Sequence, residues 1–220
     1  MITTLIALSI TAQAASSWES AEGFRPLFNG KTMAGWTAWP KGLVPMGWSV
    51  DNGVIAYTPG VEGGDISTTE QFGDFDLRMD WKIEPGGNSG IFYRAAKGFG
   101  AVWHSAPEMQ VLDNARHPDG RNPATSAGAC YALYACSKVT VKPAGQWNEV
   151  RIVAKGKHIQ HWMNGVKVVE YDVNSKDWTD RYKKSKFAEF PKFGQSPKGF
   201  IVLQDHGNRV WYRNIRIKPL

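Results

Sequence analysis

Phe75, Leu77, Met79, Trp81 and Ile83 alternate with Asp74, Asp76, Arg78, Asp80, Lys82 and Glu84 without interruption. Apolar side chains at period two line one face of an extended chain, so the stretch predicts a long antiparallel strand with one wet face. Such a strand is stable only in a sheet whose apolar face meets a second layer. Residues 48–57 read as a hairpin closed by Asp51-Asn52-Gly53, and strands at 149–154, 157–163 and 166–171 form a meander turned by Lys155-Gly156 and Asn164-Gly165. Two last strands, 199–203 and 210–217, flank Gln204-Asp205-His206-Gly207-Asn208. Turn signals recur about every ten residues, and only residues 175–187 have helical character. This spacing predicts an all-β fold, a two-sheet antiparallel β-sandwich of jelly-roll type with one short helix. No linker, repeat or low-complexity tract interrupts residues 23–220, which read as a single domain.

The first fourteen residues carry no charge and end in Ala12-Gln13-Ala14, an apolar run with a small-residue site. That is the pattern of a secretory signal peptide over residues 1–14, although no Lys or Arg precedes the run. The expectation is an exported protein, periplasmic or secreted, with no membrane insertion of the mature chain, since no other stretch is long and apolar enough. Cys130 and Cys136 lie six apart. On one continuous strand their sulfurs would stand roughly 20 Å apart, so a disulfide needs a turn between them; two free thiols and a short loop staple both remain open. The net charge of +6 comes from scattered basic residues. The densest group, Arg181, Lys183, Lys184 and Lys186, interleaves with aromatics as on a solvated helix face, so no nucleic-acid partner is expected. Zinc spacing, phosphate-cradling glycine loops, nucleotide fingerprints and G-x-S-x-G elbows are all missing from the sequence.

Chemistry concentrates in Glu108-Met109-Gln110-Val111-Leu112-Asp113-Asn114. Glu108 and Gln110, two apart, project from one strand face. Asp113 sits at an odd offset and rejoins that face only if one residue bulges out between them. Two carboxyls on one sheet face are the minimum for acid/base work on a glycoside; the plainer reading makes both ordinary solvent-facing strand residues. Arg94 ends the strand that opens at Asn88, where a guanidinium holds a carboxylate or sugar hydroxyl, or simply makes a surface ion pair. His104 precedes the Glu108 strand, and Gln204-Asp205-His206 ends another. An Asp-His pair at a strand end is an acid/base candidate because histidine titrates near neutrality. His158 and His161, three apart on a strand, face opposite ways and make a poor metal pair. Among ten tryptophans most belong in the core, while Trp39, Trp103 and Trp211 border polar loops where sugar rings stack.

Taken in order, Phe24-Arg25-Pro26-Leu27-Phe28-Asn29-Gly30-Lys31, Gly35-Trp36 and Trp48-Ser49-Val50-Asp51-Asn52-Gly53-Val54-Ile55 resemble the opening of the 3-keto-disaccharide hydrolase domain family. The series continues through Gly87-Asn88-Ser89-Gly90-Ile91-Phe92-Tyr93-Arg94, the Glu108–Asp113 stretch, Trp147-Asn148-Glu149 and His161-Trp162-Met163-Asn164-Gly165. Gln204-Asp205-His206-Gly207 and Tyr212-Arg213-Asn214-Ile215 complete it, across nearly the whole mature chain. The resemblance implies a concanavalin A-like jelly roll acting on a small carbohydrate oxidised to a ketone at C3. Such a ketone acidifies the C2 proton, so the C1 substituent leaves by elimination and water then adds.

Under that resemblance Glu108 is the base, and His206 the alternative base or the acid. Asp113 orients a neighbour, and Arg94 and Gln110 hold the ketone or hydroxyls. Lys138 is a further cation, and His104, Gln204 and Asp205 complete the substrate-binding set. A divalent metal, calcium or a transition metal, near Glu108 and His206 is the alternative to these cations. Two other readings compete. One is a laminarinase-like retaining glucanase, from whose Glu-x-Asp-x-x-Glu strand Gln110 and Asp113 depart; the other is a non-catalytic carbohydrate-binding module.

Overall fold

The computed structural model describes residues 21–220; the signal-peptide reading of residues 1–14 lies outside the described residues. The strands are β1 (Arg25–Pro26), β2 (Trp36–Ala38), β3 (Trp48–Asp51), β4 (Val54–Tyr57), β5 (Ile66–Thr68), β6 (Phe75–Ile83), β7 (Asn88–Ala95), β8 (Glu108–Leu112), β9 (Asn148–Lys155), β10 (His158–Met163), β11 (Val166–Asp172), β12 (Phe200–Leu203) and β13 (Val210–Pro219). They form two antiparallel sheets, a large one ordered β11-β10-β9-β6-β13-β4-β3 with β1 on β13, and a small one ordered β2-β5-β12-β7-β8. Helix α1 (Lys176–Lys184) is capped by Ser175, whose side chain accepts the Trp178 N–H, and a short 3-10 turn, Lys186–Glu189, follows it. Among the described residues no helix is long and apolar enough to cross a membrane.

The alternating stretch becomes β6, paired with β9 on one side and β13 on the other. Its residues Phe75, Leu77, Met79, Trp81 and Ile83 are each at most 1% exposed. They meet Ile66, Ile91, Tyr93, Met109, Val111, Ile201 and Leu203 from the small sheet in one core. At about 1.5–3 kcal/mol for each large apolar side chain taken out of water, this layer is the main source of stability. Asn52 and Asn164, each in the left-handed region before a glycine, turn the two hairpins that the sequence places there.

One polar thread runs through the core. Tyr93 Oη lies 2.8 Å from His161 Nε2 and 2.6 Å from Tyr171 Oη, while His161 Nδ1 lies 3.0 Å from the Gly128 carbonyl. Burial lowers His161 to about 4, so the ring is neutral and paired rather than a ligand. Residues 129–135 are not a strand: Ala132 has a positive φ, Cys130 bridges to Tyr134, and both thiols are free.

A bulge does occur beside β8, but on the neighbouring strand. Phe92 faces Val202 and Ala95 faces Phe200, so β7 spends three steps where β12 spends two. Arg94, at φ +53°, falls inside that irregularity. Gly199 permits it, since a Cβ there would lie 2.3 Å from the Arg94 carbonyl carbon. The Arg94 guanidinium donates to the carbonyls of Gly73 (2.8 Å) and Gly156 (2.7 Å) and to Asp74 (2.9 Å). It ties three turns together, with each of its three nitrogens already holding a protein acceptor. Arg94→Ala is expected to cost roughly 2–4 kcal/mol, because two carbonyls and a carboxylate lose a charged donor. A urea unfolding midpoint that stays at the wild-type value would contradict this role.

Candidate active site

Strand alternation separates the two faces of the small sheet. Met109, Val111, Ile91, Ile201 and Leu203 enter the inter-sheet core. Glu108, Gln110, Gly90 and Phe92 therefore belong to the outer face. Phe92, Ala95, Val102, Ala106, Phe200 and Val202, with Trp39 against them, form a second apolar cluster over part of that face. The rest is polar. Gly90 faces Gln110 across β7 and β8, and the Gln204 N–H donates to the Gly90 carbonyl at 3.0 Å. Leu203 faces Ile66, so one step further Asp65 comes beside Gln204. Gln110, Gly90, Gln204 and Asp65 thus make one row across four strands, with Glu108 one row away.

Gly90 is the opening in that surface. A Cβ built there would lie 2.1 Å from Glu108 Oε1, so the carboxyl occupies the space that any other residue would fill. Glu108 is only 9% exposed and its carboxylate oxygens accept no hydrogen bond from the described residues. Burial pushes it up to about 8, with the Lys186 charge pulling it down and the Asp65 and Asp119 charges pushing it further up. At neutral pH it carries a proton.

The surroundings are short of partners in a consistent way. Gln110 Oε1 and Nε2, Gln204 Oε1, Ser67 Oγ and Trp39 Nε1 are buried without a hydrogen-bond partner in the protein. Leaving such a group unpaired costs about 1–3 kcal/mol, and a polar ligand bound here would satisfy several at once. One flank is aromatic and basic. Lys186 Nζ sits 4.5 Å from the Tyr131 ring centroid, and Tyr131 Oη donates to Asp119 at 3.1 Å. His104 stacks on Phe190 at 4.1 Å, with the Trp103 ring edge-on to both and 36% exposed.

Several residues expected in the site lie elsewhere or have other work. The β7/β8 register runs unbroken from Asn88–Leu112 to Phe92–Glu108, so β8 has no bulge to bring Asp113 beside Glu108. The Asp113 carboxylate instead accepts the N–H of Gly86 (2.7 Å) and Ala115 (3.1 Å), fixing two turns. Asp205 accepts from Gly64 N–H and Gly207 N–H, both at 2.8 Å, which makes it a brace at the edge of the polar row. His206, next to it, is exposed and makes no hydrogen bond among the described residues. His104 shares its Nδ1 with the Phe99 carbonyl and serves the aromatic flank. Lys138 is exposed, following Ser137, whose N–H bonds Val168 on β11 at the far edge of the large sheet.

Asp65, Lys186, Asp119 and Tyr131 carried no sequence signal, since each joins the site from a distant turn. Gly90 did carry one: a lone glycine inside a strand pattern marks a close approach. For a divalent cation the donor set is lacking, because among the described residues no three His, Cys, Asp or Glu side chains gather to hold one. A depression of about 230 Å³ on the large sheet, lined by Arg78, Glu149, Arg151 and Trp162, has no unpartnered buried polar atom, and its arginines already hold Asp76.

Two expectations follow from the buried carboxyl. In carbon-13 NMR of the Glu108 side chain the titration midpoint should fall near 8 and rise further in Lys186→Ala, which removes the neighbouring positive charge; a midpoint in the usual carboxylate range would refute the account. Because the folded pKa exceeds the unfolded one, the stability this group contributes is complete below about 4.5 and is lost as pH rises through about 8. Glu108→Gln should therefore raise the thermal midpoint at pH 9 and leave it nearly unchanged at pH 4, and an equal shift at both would exclude burial of the charge as its cause.

Residues 23–218 match the 3-keto-alpha-glucoside-1,2-lyase-like domain family. A 3-keto-disaccharide hydrolase of Bacteroides thetaiotaomicron is 35% identical over 91% of this chain and 79% of its own. A crystal structure from Parabacteroides distasonis, of a protein assigned to the glycosyl hydrolases, superposes with a TM-score of 0.88 at 34% identity, covering 94% of this chain and 98% of that one. Carbohydrate-binding module CBM66 of Bacillus subtilis shares the fold alone, with a TM-score of 0.53 at 11% identity over 84% of this chain and 95% of that one. A sandwich with these strands, matched along nearly its whole described length, is a member of the 3-keto-alpha-glucoside-1,2-lyase-like domain family.

Proposed function

We propose that this protein is a carbohydrate hydrolase that cleaves 3-keto-disaccharides by elimination and hydration on the outer face of the small sheet. The observation that carries the reading is Glu108, a carboxyl kept protonated by burial among unpartnered sugar-sized polar groups. The name of the Bacteroides thetaiotaomicron relative supplies the substrate class. A ketone at C3 makes the C2 proton removable. Expulsion of the C1 oxygen then needs an acid, because a sugar alkoxide is a poor leaving group.

A carboxyl protonated up to about 8 suits that second task, so Glu108 donates the proton to the departing oxygen rather than serving as the base. Gln110 is the donor for the ketone oxygen as it becomes an enolate, and Lys186 adds positive charge. Trp103 and Phe190 offer a stacking surface for the second sugar. Export to the periplasm or medium goes with this reading through the first fourteen residues.

A retaining glucanase needs two carboxyls about 5–5.5 Å apart. Gln110 is neutral and Asp113 is bound to backbone, which weighs against that route. A pure binding module has no use for a protonated carboxyl that no protein group pairs.

The test compares a 3-keto-disaccharide with its unoxidised parent. Release of the second sugar from the keto compound alone is expected, and equal release from both would overturn the reading. Glu108→Gln should lower kcat/KM on the keto-disaccharide by roughly 10²–10⁴-fold. For the wild type, kcat/KM should fall as pH rises through about 8, where the donor loses its proton.

A further inference from the structure

We propose that Asp65 is the second proton-transfer group of this site, the base that takes the C2 proton, and that Asp205 is its positioning residue. The inference rests on the elimination reading and names the group which that reading lacks. Elimination of a sugar alkoxide calls for a base and an acid at the same moment, and Glu108 supplies only the acid.

Asp65 is at the opposite end of the row from β8. Glu108 leans over Gly90 on β7, so two inter-strand steps, roughly 9–10 Å of sheet, separate its carboxyl from the Asp65 backbone. Side chains reaching inward from both ends leave a gap on the scale of one sugar ring. The floor of that gap is Gln204, the residue directly after β12, whose Oε1 is unpartnered. One oxygen of Asp65 accepts the Asp205 N–H at 2.9 Å, and its other oxygen has no partner among the described residues. Burial, assisted by the Asp205 charge, raises Asp65 to about 6, so it is ionised at the pH where Glu108 is not. The charged groups that bear on the pair are Asp205 on the β12–β13 loop, Lys186 after α1, and Asp119 in the loop after β8.

The segment around Asp65 is shaped to hold it there. Asp205 grips Gly64 N–H, and at Gly63 a Cβ would lie 2.3 Å from Asp205 Oδ2, so Gly63-Gly64 wraps the Asp205 carboxylate and delivers the next residue to the row. A sheet edge that needed only a turn would not require two close approaches to one carboxylate.

The proton balance closes. Asp65 takes the proton from C2 and the C1=C2 bond forms as the C1–O bond breaks, while Glu108 gives its proton to the leaving oxygen. In hydration, water adds through oxygen at C1 and its proton goes to Glu108. Asp65 returns its proton to C2. Both groups end as they began, and the net reaction is hydrolysis.

Three probes separate the roles in the full chain. The first is 1,5-anhydro-3-keto-glucitol, which has no leaving group and reports C2 proton exchange with deuterium oxide. The others are a 3-keto-glucoside of 4-nitrophenol, whose leaving group needs no acid, and a 3-keto-disaccharide, which needs both groups. Asp65→Asn, which keeps the acceptor for Asp205 N–H, should lower activity on all three by roughly 10²–10⁴-fold. Glu108→Gln should lose far more activity on the disaccharide than in C2 exchange or nitrophenol release, whereas Asp65→Asn should lose all three alike. Asp205→Asn should move the acidic limb of kcat/KM somewhat below about 6, because burial still raises Asp65 but the smaller contribution of the Asp205 charge is gone.

C2 exchange at the wild-type rate in Asp65→Asn would overturn the proposal while leaving the elimination reading intact. A wild-type protein that acts on none of the three probes would instead defeat the elimination reading itself.

Discussion

A carboxyl group buried without a hydrogen bond from the described residues keeps its proton even with a lysine charge nearby, and the proposed function depends on that one condition. On a β-sheet it is hard to arrange, because every neighbouring strand presents side chains at the same height. The chain solves it by subtraction. Gly90 removes one side chain at the point where Glu108 needs to lie, and Phe92 and Val202 keep the adjoining surface dry. Ordinary strand chemistry on both sides then becomes a site, since Gln110 and Gln204 have nowhere else to find partners. The core beneath is conventional and large enough to tolerate those unsatisfied groups.

This arrangement trades stability for readiness. Each unpaired amide and the buried acid cost free energy in the empty protein, while Tyr93, Tyr171 and His161 satisfy one another and Arg94 holds two carbonyls and a carboxylate. Unpartnered buried atoms also occur elsewhere, at Trp81 Nε1, Tyr134 Oη and Asn88 Oδ1, so it is their gathering near one buried carboxyl that distinguishes the outer face of the small sheet.

Much of the sandwich was legible in the sequence because its signals are local. Period-two alternation placed β6, and Asn-Gly pairs placed the hairpins at residues 52–53 and 164–165. Glu108 and Gln110 were legible for the same reason, as neighbours two apart on one strand. Asp113 was misread because a bulge was sought in β8, while the extra residue is Arg94 in β7, where Gly199 makes room. Asp65 and Lys186 were invisible, since cross-strand register and the path of the chain after α1 bring them in, and neither leaves a trace in spacing. His206 and Lys138 are reactive residue types, but both are exposed.

The most direct test of the central claim is a crystal structure of Glu108→Gln soaked with a 3-keto-disaccharide. The account predicts the keto ring seated over Gln204 between residue 108 and Asp65, with the substituted amide within hydrogen-bond distance of the glycosidic oxygen. A sugar bound on the large sheet, or over Gln204 with its glycosidic oxygen turned away from residue 108, would contradict it.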